Sequence, residues 1–119
     1  MSESKGIKSD LIPKIATGFC GGMSHTDGMC GAISGGILAI DMIHGRGNPS
    51  DPREDSEEKV QDLISTFKDS FKSIHCYKLT GCDLGTEEGQ EKYNINECYE
   101  LCDKFVYRAT ELSLELVNR

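Results

Sequence analysis

Six cysteines, Cys20, Cys30, Cys76, Cys82, Cys98 and Cys102, are the residues of this 119-residue chain with the most chemistry available to them. A thiolate is both a nucleophile and a soft metal ligand, and its environment decides which role it takes. Cys30 lies at the mouth of an apolar run, between Gly28 and Gly31. A helix capped by Thr26 or Asp27 would place it in the first turn, where free N–H groups and the positive dipole end favour an anion. That position predicts a lowered thiol pKa. Cys98 and Cys102 sit one helical turn apart, so their sulfurs are expected to point into one interior groove. Their Cα atoms would be about 6 Å apart with nearly parallel Cβ bonds, which makes a bridge between them awkward. Joint ligation, or pairing with thiols of other helices, is easier.

The remaining thiols are spread out. Cys20 falls in the turn GFCGG, Cys76 follows His75, and Cys82 stands in TGCDLG. There is no CxxC pair, which argues against a thioredoxin-like site and an ordinary zinc ribbon. Three chemistries stay open: an iron–sulfur cluster held by distant thiolates, a dithiol/disulfide couple, and a structural zinc site. A fourth reading makes the cysteines core filler in a non-enzymatic interaction module, whose glycine-rich helix packs on an identical subunit. His25 and His75 read as surface or capping residues, and His44 suits a helix C-terminus as a cation would. Neither GFCGGM nor CGAISGG matches a nucleotide-binding loop. The adjacency of Ser24, His25 and Asp27 says little about a triad, whose members meet in space.

Four helices are expected to position these groups. A short one spans about Asp10 to Thr17, with Pro13 near its first turn. The second begins near Thr26 or Asp27 and runs to His44, stopped by Gly45, Gly47 and Pro49. Ile33, Ile37, Leu38, Ile40 and Met42 nearly encircle its axis, which suits the middle of a bundle. Gly31, Gly35 and Ala39 clear one face for a neighbour or a ligand, at about 1 kcal/mol of helix propensity for each glycine. The third is opened by Ser50, Asp51 and Pro52 and continues to about Ile74, with Val60, Leu63, Ile64, Phe67 and Phe71 on one side. Cys76 to Ile95 reads as a mixed segment broken by Gly81, Gly85 and Gly89. The last runs from about Asn96 to Val117 and gathers Cys98, Leu101, Cys102, Phe105, Ala109, Leu112 and Leu116 on one face. The predicted fold is an all-α, single-domain bundle over residues 1–119, with a glycine-rich, cysteine-bearing loop–helix segment.

The bulk numbers bound the rest. A net charge of −7 and the lack of any basic patch argue against nucleic-acid binding. No apolar run reaches the ~18 residues of a membrane span. The polar start lacks a signal-peptide core, so the expected compartment is the cytoplasm, where thiols favour redox or metal chemistry over disulfide frames.

The stretch IATGFCGGMSHTDGMCGAISGGILAID, then FKSIHCYKLTGCDL, then Cys98, resembles the redox-active protein family named for its Cys, GCAxxG, Cys, Cys motif. The resemblance covers roughly Ile15 to Cys102. It implies a small helical redox protein and raises iron–sulfur binding. It supports Cys30, Cys76 and Cys98, with Gly31, Ala32 and Gly35 as the packing motif. Members carry a further cysteine upstream of the glycine-rich stretch; here none precedes Cys20, so Cys20 or Cys102 would substitute. No CxxCH haem-attachment motif is present.

The combined expectation is a redox or electron-transfer protein, a candidate oxidoreductase component, working with a redox partner protein. Cys30, Cys76 and Cys98 would carry the chemistry. Cys20, Cys102, Gly31 and Gly35 would help bind a cofactor. Cys30, Cys76, Cys98 and Cys102 would be the ligands of an iron–sulfur cluster, if that is the cofactor. A homodimer is compatible with the glycine-rich face.

Overall fold

A computed structural model describes residues 2–119, and among these the chain is all α. Six right-handed helices follow one another: α1 (Leu11–Ala16), α2 (Gly31–His44), α3 (Glu54–Phe71), α4 (Cys76–Thr80), α5 (Glu87–Ile95) and α6 (Tyr99–Val117). Single 3-10 turns cover Glu3–Lys5 and Thr17–Phe19. Between the second of these and α2 lies a turn of opposite hand, Cys20–His25.

Three long helices build the core. α2 packs against both α3 and α6, and α3 against α6. Their apolar stripes meet in Ile33, Ile40, Leu63, Phe67, Phe105, Ala109, Leu112 and Leu116. Phe67 touches Phe71 at a centroid distance of 4.8 Å, and Phe105 stands edge-on to Phe71 at 5.0 Å. These tilted arrangements suit the ring quadrupoles. α2 is central, as its encircling apolar residues require, with Ile33 and Ile40 fully buried. Gly36 lets α6 and α3 pack tightly against it, since a Cβ there would lie 2.7 Å from Ser113 Oγ and 3.0 Å from Leu63 Cδ2. His44 fastens the far end, with Nε2 3.0 Å from the Val117 carbonyl and Nδ1 2.9 Å from Asp55.

The helix ends depart from the sequence expectation for identifiable reasons. α2 starts at Gly31, not at Thr26 or Asp27, because residues 28–30 are held extended by a one-residue β-bridge between Met29 and His75. Cys30 is therefore the cap residue itself, with extended ψ of 132°. Asp27, at φ +56°, accepts a hydrogen bond from the Tyr77 amide instead of capping α2. α3 opens with Glu54, Asp55 and Glu57 in its first turn, as its dipole favours. It ends at Phe71 because Lys72 turns left-handed, which leaves Ile74 outside. The Cys76–Ile95 segment folds into α4 and α5. Thr86 caps α5 by accepting the Gly89 amide at 3.0 Å. Asn96 closes α5 rather than opening the last helix, so α6 begins at Tyr99.

Candidate functional site

The glycine-rich stretch does not extend a helix; it reverses hand. Gly21, Gly22, Met23 and Ser24 all adopt left-handed φ of 58–70°, and His25 follows at φ 68°. For Met23, Ser24 and His25 this conformation costs roughly 1–2 kcal/mol per residue. Local bonds oppose that cost. The Ser24 hydroxyl donates to the Gly18 carbonyl at 2.8 Å, and the Thr26 hydroxyl donates to the Met23 carbonyl at 2.8 Å. The Gly22 carbonyl accepts the Gly28 amide at 2.9 Å. Gly22 is the residue on which the arrangement turns. It is buried at φ +70°, and a Cβ there would sit 2.5 Å from the Cys76 Cβ. The left-handed turn thus lays bare backbone against the Cys76 side chain.

The Met29–His75 bridge then brings Cys30 and Cys76 together. The Cys30 amide donates to the Ile74 carbonyl at 2.7 Å, and the Cys76 amide donates to the Gly28 carbonyl at 3.2 Å. Both cysteines line one cleft of about 720 Å³, shared with Cys20 and Cys102. Cys20 is exposed, Cys30 and Cys102 are half-buried, and Cys76 is buried. Tyr93 of α5 also lines the cleft and donates its hydroxyl to Cys102 Sγ at 3.1 Å. Gly35 faces the same space, with nothing within 4 Å of an added Cβ, so it serves the cleft rather than helix packing. Gly31 instead lets the Phe19 carbonyl approach, 2.9 Å from where its Cβ would be.

Cys98 and Cys102 do not share a groove. Cys102 turns to Tyr93 and the cleft, whereas Cys98 Sγ lies 3.6 Å from Cys82 Sγ. Cys82 is 1% exposed and Cys98 4%. Cys82 is the partner that sequence reasoning passed over as one more loop cysteine. Its approach to Cys98 depends on the turn after α4 and the whole of α5, and no local spacing records it.

Burial sets the thiol electrostatics. It pushes the Cys30 thiol up, against the pull of the Ala32 and Ile33 amides, so the lowering expected from a helix start does not win. The two amides act, but desolvation of the charged form outweighs them. Cys76 is pushed up to about 11, first by burial and then by the neighbouring thiols of Cys30 and Cys102. Cys98 is raised by burial and by its contact with Cys82. The Tyr93 hydroxyl is raised too, by burial and by its bond to Cys102. Cys30, Cys76 and Cys102 form an interacting group with Tyr93, and Cys98, in contact with Cys82, is also raised by the nearby Cys102 thiol.

Among the described residues, no three Cys, His, Asp or Glu side chains gather closely enough to hold a metal ion. Of the four ligands expected for an iron–sulfur cluster, three line the cleft and Cys98 lies outside it. Cys30, Cys76 and Cys102 face the cleft together, and Cys98 is turned away from them.

Comparison with known families bears on this thiol arrangement directly. The sequence profile of the family described as "Putative redox-active protein (C_GCAxxG_C_C)" matches residues 1–116. The chain belongs to this family. No curated protein and no solved structure matches it. The C_GCAxxG_C_C description and the six free cysteines agree on a redox-active, cysteine-rich, all-α protein. Among the described residues no helix is long and apolar enough to cross a membrane.

Proposed function

We propose that this chain is a thiol–disulfide redox protein acting as one unit over residues 1–119, with Cys82 and Cys98 as its two-electron couple. The observation that carries this reading is the 3.6 Å contact between two reduced, buried sulfurs. A disulfide needs an S–S distance of about 2.05 Å. Closing the gap therefore takes a movement of about 1.5 Å between Cys82, in the turn after α4, and Cys98, at the start of α6. The thiols on the cleft face solvent in graded fashion and are where a disulfide-bearing partner would first meet the protein.

The reaction balances without a further co-reactant. A partner disulfide accepts two electrons and two protons from Cys82 and Cys98 and leaves as two thiols, while the Cys82–Cys98 bond forms. Exchange proceeds by thiolate attack on a disulfide sulfur. Since burial raises Cys30, Cys76 and Cys98, the thiolate fraction at neutral pH is small and exchange should quicken with rising pH.

Titration of the purified protein in dithiothreitol redox buffers tests this. Six free thiols should fall to four in a single two-electron step, and Cys98→Ser should abolish the step. Broad visible absorption accompanied by iron and acid-labile sulfide after anaerobic purification would overturn the proposal. So would a thiol count unchanged across the titration.

A further inference from the structure

Cys82 and Cys98 are 1% and 4% exposed, so a disulfide carried by another molecule does not reach either sulfur. Exchange needs contact between the attacking thiolate and the disulfide it opens. A buried couple therefore needs a second thiol that meets the partner and passes the oxidation inward.

Cys102 has the position for that step. It is half-buried and lines the cleft. It also lies one helical turn beyond Cys98, with its amide donating to the Cys98 carbonyl at 3.1 Å. Tyr93 ties the two residues together. Its carbonyl accepts the Cys98 amide at 3.0 Å, and its hydroxyl donates to Cys102 Sγ at 3.1 Å. A donor held on the sulfur favours the thiolate, which is the attacking form. Cys102 raises the thiols of Cys30, Cys76 and Cys98 alike, so it stands within electrostatic reach of the cleft and of the buried couple. The other cleft thiols are placed less well. Cys20 and Cys30 belong to the left-handed turn and the start of α2, which carry neither member of the couple, and Cys76 is buried.

We propose that Cys102, held by Tyr93, is the entry thiol through which a partner disulfide oxidises the Cys82–Cys98 couple. The inference rests on that reading of the couple. Cys102 attacks one sulfur of the partner disulfide; the mixed disulfide forms, and the other partner sulfur leaves with the electron pair and takes up the proton Cys102 has lost. Rotation about the Cys98 side chain, which caps α6, then turns its sulfur from Cys82 to Cys102. Cys98 attacks the Cys102 sulfur, and the partner departs as its second thiol. The Cys98–Cys102 bridge spans roughly 6 Å between Cα atoms with nearly parallel Cβ bonds, so it is strained and readily passed on. Cys82 attacks Cys98, the Cys82–Cys98 bond forms, and Cys102 is released as a thiol. Two electrons and two protons have moved from the couple to the partner, and Cys102 is unchanged.

The test follows the Cys82–Cys98 linkage in the fully reduced, full-length chain after mixing with oxidised glutathione, using samples quenched with N-ethylmaleimide and mapped as peptides. Cys102→Ser should slow formation of the linkage roughly tenfold or more, through loss of an intramolecular thiol, and still reach the same final linkage. Tyr93→Phe should slow it roughly three- to tenfold at pH 7 and by less at pH 9, where solution alkalinity supplies the thiolate. A purely structural role for Tyr93 would slow both alike. A wild-type rate in Cys102→Ser would overturn the proposal and leave the couple standing, as would a Tyr93→Phe loss equal at both pH values. No linkage in wild type would overturn the couple, and the relay with it.

Discussion

At the scale of single residues, two physical effects compete over the same thiols. The start of α2 offers Cys30 amide groups and a positive dipole end, and burial in the cleft wall opposes both. Sequence makes the first effect visible and hides the second, because burial depends on what α5, α6 and the left-handed turn place nearby. The same limit explains Cys82. Its contact with Cys98 bridges sixteen residues of non-periodic chain, while Cys98 and Cys102, which look paired on a helical wheel, face different partners. Cys76 supplies a prediction at this scale. Its thiol is held near 11 in the folded state against an ordinary value of 9.0. Folding favours its protonated form, so its contribution to stability is complete below about pH 9 and is lost as pH rises from 9 toward 11. Cys76→Ala should flatten that alkaline loss in denaturant melts compared at pH 8 and pH 10.5. An unchanged pH profile would contradict the assignment.

At the scale of elements, periodicity announced the long helices well. The apolar stripe from Val60 to Phe71 and the acids at its start match α3, and the stripe from Phe105 to Leu116 matches α6. The ends were less legible. A bridge between two residues 46 positions apart set the start of α2, and no cap signal encodes such a pairing. The glycines at positions 21 and 22 marked a break, but a left-handed turn continuing through Met23, Ser24 and His25 depends on tertiary hydrogen bonds. Two glycines then make opposite predictions. Gly22→Ala should destabilise the fold by more than about 1 kcal/mol, because the position combines φ +70° with a 2.5 Å clash against Cys76. Gly35→Ala sits in open space on a helix, and should be neutral or stabilising by up to about 1 kcal/mol. Chemical denaturation of the two variants side by side checks both signs.

At the scale of the whole molecule, three long helices form a rigid core on one side, and short elements close around the thiols on the other. Phe67, fully buried between Phe71 and Phe105, belongs to the first half. Phe67→Ala should cost about 3–5 kcal/mol, read from denaturant melts. The short elements α4 and α5, with the turns between them, carry Cys76, Cys82 and Tyr93, so redox state is expected to report on that half first. The central claim is that Cys82 and Cys98 close into a bond on oxidation. The most direct measurement is mass spectrometry of the protein treated with oxidised glutathione, intact and then as peptides under non-reducing conditions. The account predicts an intact mass lower by two hydrogens and a single linked pair of peptides containing Cys82 and Cys98. A dominant linkage among Cys20, Cys30, Cys76 and Cys102, or no intramolecular linkage, would contradict it.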